Sequence, residues 1–248
     1  MILDGFPQVL WINLDCSVRR RAYMEKLLND YKIPNHRIKA IDGTNATDPE
    51  LATICVTNDK LSLPENACTC SHLNAMSYFV ENMSDNEIII FEDDVSFEFL
   101  KFIPFDWSEF VSKLPLAYEI IQLAITHETG HIDNTLVKID PMKKYYCSAA
   151  YLITKQAANK ILNQYYSPTL NKYDLSTKQY ATADSMISGT DATYSMPIFT
   201  YLTNDSTIHP RHLYLHNRSK QQQYHLWKNT MDNIVKFDKT EYFNNFPK

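Results

Sequence analysis

The chain has 248 residues, 44% hydrophobic and 21% charged, with 24 Lys and Arg against 29 Asp and Glu for a net charge of -5. That length and apolar content support one folded unit with a substantial core and exclude a disordered chain. The acidic balance gives no footprint for nucleic acid, and no run reaches the roughly 18 apolar residues of a membrane-spanning helix.

In chain order, VLWINL (9–14) is a branched and aromatic apolar run, the pattern of a buried strand. Ser17 is placed to cap a helix that carries Tyr23, Met24, Leu27, Leu28 and Tyr31 at helical spacing and is closed by Pro34. RIKAIDG (37–43) reads as a second strand ending at Gly43, and 44–66 as irregular polar chain. A helix is expected over about 70–81, then a strand at EIIIFEDDV (87–95). The aromatic-rich 97–107 reads as loop, YEIIQLAI (118–125) as a strand, and 131–146 as a polar hairpin. AAYLIT (149–154) is a strand with a cap at Thr154, and Ala157, Ala158, Ile161, Leu162 and Tyr165 mark the next helix. A short helix at 181–189, a strand at MPIFTYLT (196–203) and a partly helical polar tail complete the chain. Strands alternating with helices predict an α/β fold, with a mixed, mostly parallel sheet flanked by helices. A single domain is expected over 1–218, with 219–248 packed on it.

Only four glycines are present, and neither G-x-G-x-x-G nor G-x-x-x-x-G-K-[ST] can be written. A phosphate-bearing ligand would therefore be met by a metal ion or by cationic side chains. The five cysteines include no C-x-x-C pair, and Cys68-x-Cys70 is tighter than structural zinc sites use. They read as thiols of a reducing compartment, and with no basic leader the expected location is cytoplasmic.

In open α/β sheets ligands bind at the carboxyl ends of strands. Three such ends carry polar groups: Asn13 and Asp15, followed by Arg19, Arg20 and Arg21; Asp42; and Glu92, Asp93 and Asp94. Residues i and i+2 of an extended exit face the same way, so Glu92 and Asp94 are expected in one pocket and Asp93 on the other side. Hard oxygen ligands of this kind suit Mg²⁺ or Mn²⁺, whereas the bland alternative is a solvated acidic turn at the start of a helix. Ser71 and His72 open a helix where N–H groups and an imidazole can meet a ligand. Of the arginine triplet, Arg19 or Arg20 is expected to face the pocket. Of His209, His212 and His216, separated by Pro210, one is expected to join a metal site from outside.

With these segments in this order, the chain resembles glycosyltransferase family 25, the group of lipooligosaccharide and procollagen galactosyltransferases. The matching pieces are WINLDCSVRR, IKAIDG, ENACTCSHLNAM, IIIFEDDV, AAYLITKQAANKIL, TADSMI and MPIFTYLTNDSTI, spanning about 9–209. The resemblance implies a GT-A-like fold and inverting transfer of galactose or glucose from a UDP-sugar to a glycan, lipooligosaccharide or hydroxylysine-type acceptor. Any lipid-linked acceptor would be met peripherally. It implies Asn13, Asp15, Arg19, Arg20, Asp42, Ser71, His72, Glu92 and Asp93 on the nucleotide-sugar side. It further implies Asp94, Glu92 and His209 around Mn²⁺ or Mg²⁺, and Asp184 as general base. Two departures stand out: Ala67 where the family has glycine before Cys68, and Cys16, Ser17 and Val18 between Asp15 and the arginines. The competing readings are a non-catalytic glycan- or protein-binding module of the same fold, and a phosphohydrolase, which lacks a second His and Asp cluster.

Overall fold

The central strands are apolar on both faces, which only a sheet covered on both sides accommodates. In the computed structural model, residues 3–44, 49–127, 132–140, 145–203 and 213–248 are described. The main sheet has seven strands: β1 (Val9–Asn13), β2 (Asn35–Lys39), β3 (Glu87–Glu92), β4 (Ile120–Gln122), β5 (Val137–Lys138), β6 (Ala150–Thr154) and β7 (Thr193–Ser195). Their order is β2-β1-β3-β6-β4-β7-β5, with β6 and β5 antiparallel to the other five. This is a mixed α/β sheet with most strands running one way.

The strand period of two divides the core. Val9, Trp11, Ile89, Phe91, Ala150 and Leu152 face one side, and Leu10, Ile12, Ile88, Ile90, Tyr151 and Ile153 the other; all are buried. The helices are α1 (Val18–Asp30), α2 (Pro49–Ile54), α3 (Leu63–Asn82), α4 (Trp107–Val111), α5 (Lys155–Tyr165), α6 (Ala183–Ser188), α7 (Leu213–Asp232) and α8 (Lys239–Asn244). α3 and α5 cover the second face. The first face meets α1 and an aromatic cluster of Phe97, Phe99, Phe105, Trp107 and Phe110. Trp227 of α7 and Phe243 of α8 join that cluster, and Trp227 Nε1 donates to the Pro197 carbonyl at 2.6 Å. The boundary expected between 218 and 219 falls inside α7. No helix among the described residues is long and apolar enough to cross a membrane.

Several expectations change. α3 begins at Leu63, seven residues before its expected start at Cys70, because Ser62 and Glu65 form a capping box with Pro64 in the first turn. The polar composition that suggested irregular chain is partly the chemistry of a cap. An Asp106–Glu109 capping box likewise starts α4 inside the aromatic stretch read as loop. The hairpin expected at 131–146 does not form as such: β5 pairs with β7, whereas Tyr145–Tyr146 pairs with Thr126–His127. Of MPIFTYLT only Thr200–Tyr201 is strand, paired with Val95–Ser96, and the main sheet takes Thr193–Ser195 instead.

Gly43 sits where the loop after β2 meets the first turn of α3. A Cβ there would lie 2.5 Å from the Leu63 carbonyl oxygen and 2.6 Å from Pro64 Cα, both backbone atoms that cannot swing aside. Gly43→Ala is expected to cost about 1–3 kcal/mol, the scale of overpacking. An unchanged urea midpoint would contradict this packing.

Candidate active site

β1 leads to β2 on one side and has β3 on the other, so the carboxyl ends of β1 and β3 form a switch point where a crevice opens. Two adjoining clefts lie there. The first, about 200 Å³, is walled by Asn13, Asp42, Gly43, Ser71, His72 and Asp93. The second, about 150 Å³, is walled by Asp94, Thr126, Cys147, Ser148, Asp184, Tyr201 and His216. Arg20, Cys68 and Glu92 line both, forming a ridge between them.

The three carboxylates at the end of β3 go different ways. Asp93 turns to the first cleft, where its Oδ2 accepts from Asn13 Nδ2 at 2.6 Å and its Oδ1 from Arg20 Nη1 at 2.7 Å. Glu92 and Asp94 line the second cleft. Glu92 Oε1 accepts from the Ser148 hydroxyl at 2.5 Å and lies 3.4 Å from His72 Nε2. Burial raises the Glu92 carboxyl, but His72, Ser148 and Arg20 outweigh it and hold it below the usual range. Asp94 is the reverse case. Burial, then the charge of Glu92, push it up to about 8 against the pull of Arg20, whose Nη1 is 3.7 Å away. Its Oδ1 is buried without a hydrogen-bond partner. Arg20 thus offsets one carboxylate and leaves a second short of positive charge.

That imbalance has a measurable sign. Between the ordinary Asp value near 4 and about 8, the unfolded chain ionises Asp94 while the folded chain keeps it protonated. The folded state therefore loses stability as pH rises through that window. Asp94→Asn is expected to raise the cation-free chain's stability by about 1–3 kcal/mol around pH 8 and to leave it unchanged near pH 4. Equal melting shifts at both pH values would contradict this.

Asp184 stands in the first turn of α6, started by a Thr182–Ser185 capping box, and faces the second cleft. Burial and then Glu92 raise its carboxyl, against the Ser148 hydroxyl and the Cys147 amide. Cys147 takes a φ of +105°, which side-chain-bearing residues rarely adopt. Gln122 Nε2 pins its carbonyl at 2.7 Å. In that conformation the segment presents its amide to Asp184 and the next hydroxyl to Glu92.

Other residues singled out from the sequence take supporting places. Asn13 is 1% exposed; its amide nitrogen serves Asp93, and its oxygen accepts from Arg37 Nε at 2.9 Å and Arg21 Nε at 3.3 Å. It shapes the first cleft with its hydrogen-bonding capacity committed. Ser71 accepts from the Ile41 amide and donates to the Ala67 carbonyl, tying α3 to the loop after β2. Asp42 caps its own turn through the Thr44 amide and hydroxyl at the mouth of the first cleft. Two residues do not join the clefts. Asp15 is exposed and bound by Arg37 and Arg21, and Arg19 is exposed on the outer face of α1; neither lines a cleft wall. Of the three successive arginines only Arg20 lines the clefts; Arg21 turns to Asn13 and Asp15 beside them. His209 lies outside the described residues.

Sequence reasoning missed Arg37, Ser148, Tyr201 and the placement of His216. Tyr201 accepts from Thr126 Oγ1 at 2.7 Å and donates to the Ile125 and His216 carbonyls, holding α7 against the second cleft.

The family described as glycosyltransferase family 25 (LPS biosynthesis protein) matches residues 6–177. No curated protein matches the chain. Among solved structures, A197 from STIV is similar at 10% identity and a TM-score of 0.45, over 79% of this chain and 84% of that one. HddC from Yersinia pseudotuberculosis, complexed with GMP-PN, is similar at 12% identity and a TM-score of 0.39, over 87% and 99%. A glycosyltransferase involved in glycosylation of the major capsid of PBCV-1 is similar at 9% identity and a TM-score of 0.33, over 87% and 98%.

Proposed function

Because the chain belongs to glycosyltransferase family 25, and so is a glycosyltransferase with a sugar donor and an acceptor, we propose that it moves galactose or glucose from a UDP-sugar with inversion. The nucleotide occupies the first cleft in this reading, and the sugar and acceptor hydroxyl the second. One observation carries it: Asp94, with a buried oxygen lacking any hydrogen-bond partner and a carboxyl raised to about 8, faces the same cleft as Asp184.

The donor set fits a hard divalent cation. Asp94 and Glu92 are oxygen ligands at one cleft wall, and such ions bridge one or two carboxylates to substrate phosphates. Asp94 and Glu92 would hold Mn²⁺ or Mg²⁺, which when bound supplies positive charge to the leaving diphosphate. His216 lines the same cleft and is the histidine among the described residues that this reading would add, His209 lying outside them.

The chain's own residues account for the remaining work. Asp184 accepts the proton of the acceptor hydroxyl as that oxygen attacks the anomeric carbon from the face opposite the leaving group. A carboxyl raised by burial is a stronger base than an exposed one, as this step requires. Arg20, paired with Asp93 and lining both clefts, keeps a fixed positive charge where the phosphates would lie. Ser148 and His72 hold Glu92 in its ionised form. The acceptor is a glycan, lipooligosaccharide or hydroxylysine hydroxyl, and the fold is of the GT-A kind.

The test is release of UDP from a panel of UDP-hexoses with Mn²⁺ and a saccharide acceptor. Release from UDP-galactose or UDP-glucose that requires both cation and acceptor is expected. Absence of turnover with every donor and acceptor, in a chain that binds glycans, would favour a non-catalytic module instead.

A further inference from the structure

Cys68 and His72 are four residues apart on α3, so their side chains share one face of the helix. Glu92 closes on them from the end of β3. The sulfur of Cys68, a ring nitrogen of His72 and a carboxylate oxygen of Glu92 all lie within 4.8 Å of one another. We propose that these three residues form a binding site for a thiophilic divalent cation, Zn²⁺, on the ridge between the two clefts.

The buried imidazole supplies the independent observation. His72 is 1% exposed, and its Nε2 has no hydrogen-bond partner. Glu92 Oε1 is 3.4 Å from it, longer than an ordinary N–H···O hydrogen bond. The other ring nitrogen, Nδ1, lies 2.9 Å from the Tyr151 hydroxyl. In the tautomer whose Nδ1 proton points at Tyr151, Nε2 presents its lone pair to the space shared with Cys68 and Glu92, and a bound cation would replace the His72–Glu92 contact that otherwise favours the ionised carboxylate. A hydrogen bond on the far nitrogen is how metal-binding histidines are oriented.

The donor set selects the ion. Thiolate, imidazole and carboxylate together suit zinc, whereas Mg²⁺ and Mn²⁺ favour oxygen ligands. Cys68 and Glu92 line both clefts, so the fourth position opens into them. The Cys68-x-Cys70 pairing is not the site: Cys70 is buried in the core beside Cys55. Glu92 is common to this site and to the hard-cation site, and Cys68 and His72 distinguish them; the inference does not depend on the sugar donor or on Asp94.

The test uses the reduced, metal-free chain without nucleotide. Co²⁺ is added as a spectroscopic stand-in and then displaced by Zn²⁺. A near-ultraviolet thiolate-to-cobalt band is expected, saturating at a single equivalent and erased by a single equivalent of zinc. Cys68→Ser should abolish the band. His72→Ala should weaken zinc at least about tenfold, the lower bound of what even an outer-shell partner costs. Cys147→Ser and Cys16→Ser should keep both the band and the affinity. Circular dichroism checks folding, and if Cys68→Ser does not fold, the His72→Ala affinity decides. No band on the unaltered chain, a band that survives Cys68→Ser, zinc affinity unchanged in His72→Ala, or a band lost with Cys147→Ser would each overturn the assignment. Failure here leaves UDP release unaffected, so the two readings fall separately.

Discussion

Asp184→Asn lowers turnover by about 10²–10⁴-fold, the typical contribution of a positioned base, while donor affinity stays near that of the unaltered chain. Asn keeps the size and the hydrogen-bonding oxygen but cannot take a proton. Asp184 faces the second cleft from α6, whereas the first cleft is built from β1, the loop after β2 and α3. The substitution therefore leaves the walls of the first cleft, where the nucleotide is proposed to sit, intact. Steady-state kinetics paired with calorimetric donor binding separate the two effects. Loss of donor binding together with turnover would instead make Asp184 a donor or cation ligand.

Arg20→Ala is the substitution with the largest expected effect on stability, about 3–5 kcal/mol, because it strands the buried carboxylate of Asp93. Arg20 pairs with both Asp93, at 2.7 Å, and Asp94, at 3.7 Å, and its side chain is 15% exposed. Without it, Asp93 keeps only the neutral amide of Asn13, and Asp94 loses the charge that opposes its rise. Adding Asp93→Asn to Arg20→Ala should recover part of the loss. Urea unfolding of the single and double variants measures this. A double variant no more stable than the single would show that Arg20 acts by packing its stem rather than by its charge.

What the sequence revealed follows from burial. β1, β3 and β6 are buried on both faces, so each is an uninterrupted apolar run that no other element mimics at that length. Placing Asn13 and Glu92 at adjoining strand ends needed only those strands and the switch-point rule. β7 was invisible because Thr-Tyr-Ser carries no apolar run; its place is set by pairing with β4. The start of α3 hid in polar chain because caps are made of polar residues. The site was legible in its anchors and not in their partners. Arg37 reaches Asn13 across 24 residues and Ser148 reaches Glu92 across 56, contacts that only the folded sheet creates. The choice of Arg20 within the triplet depended on helix phase, and His216 on the docking of α7 by Tyr201.

In the proposed reading the two clefts form one cation-dependent site for a UDP-sugar, with Asp94 as the cation's ligand. Calorimetric titration of UDP into the chain and into Asp94→Asn, each with and without Mn²⁺, tests it most directly. UDP binding is expected to require Mn²⁺ in the unaltered chain and to be lost in Asp94→Asn, although that variant is expected to be the more stable of the two around pH 8. UDP binding that is indifferent to Mn²⁺ or survives Asp94→Asn, or no UDP binding with any cation, would contradict it.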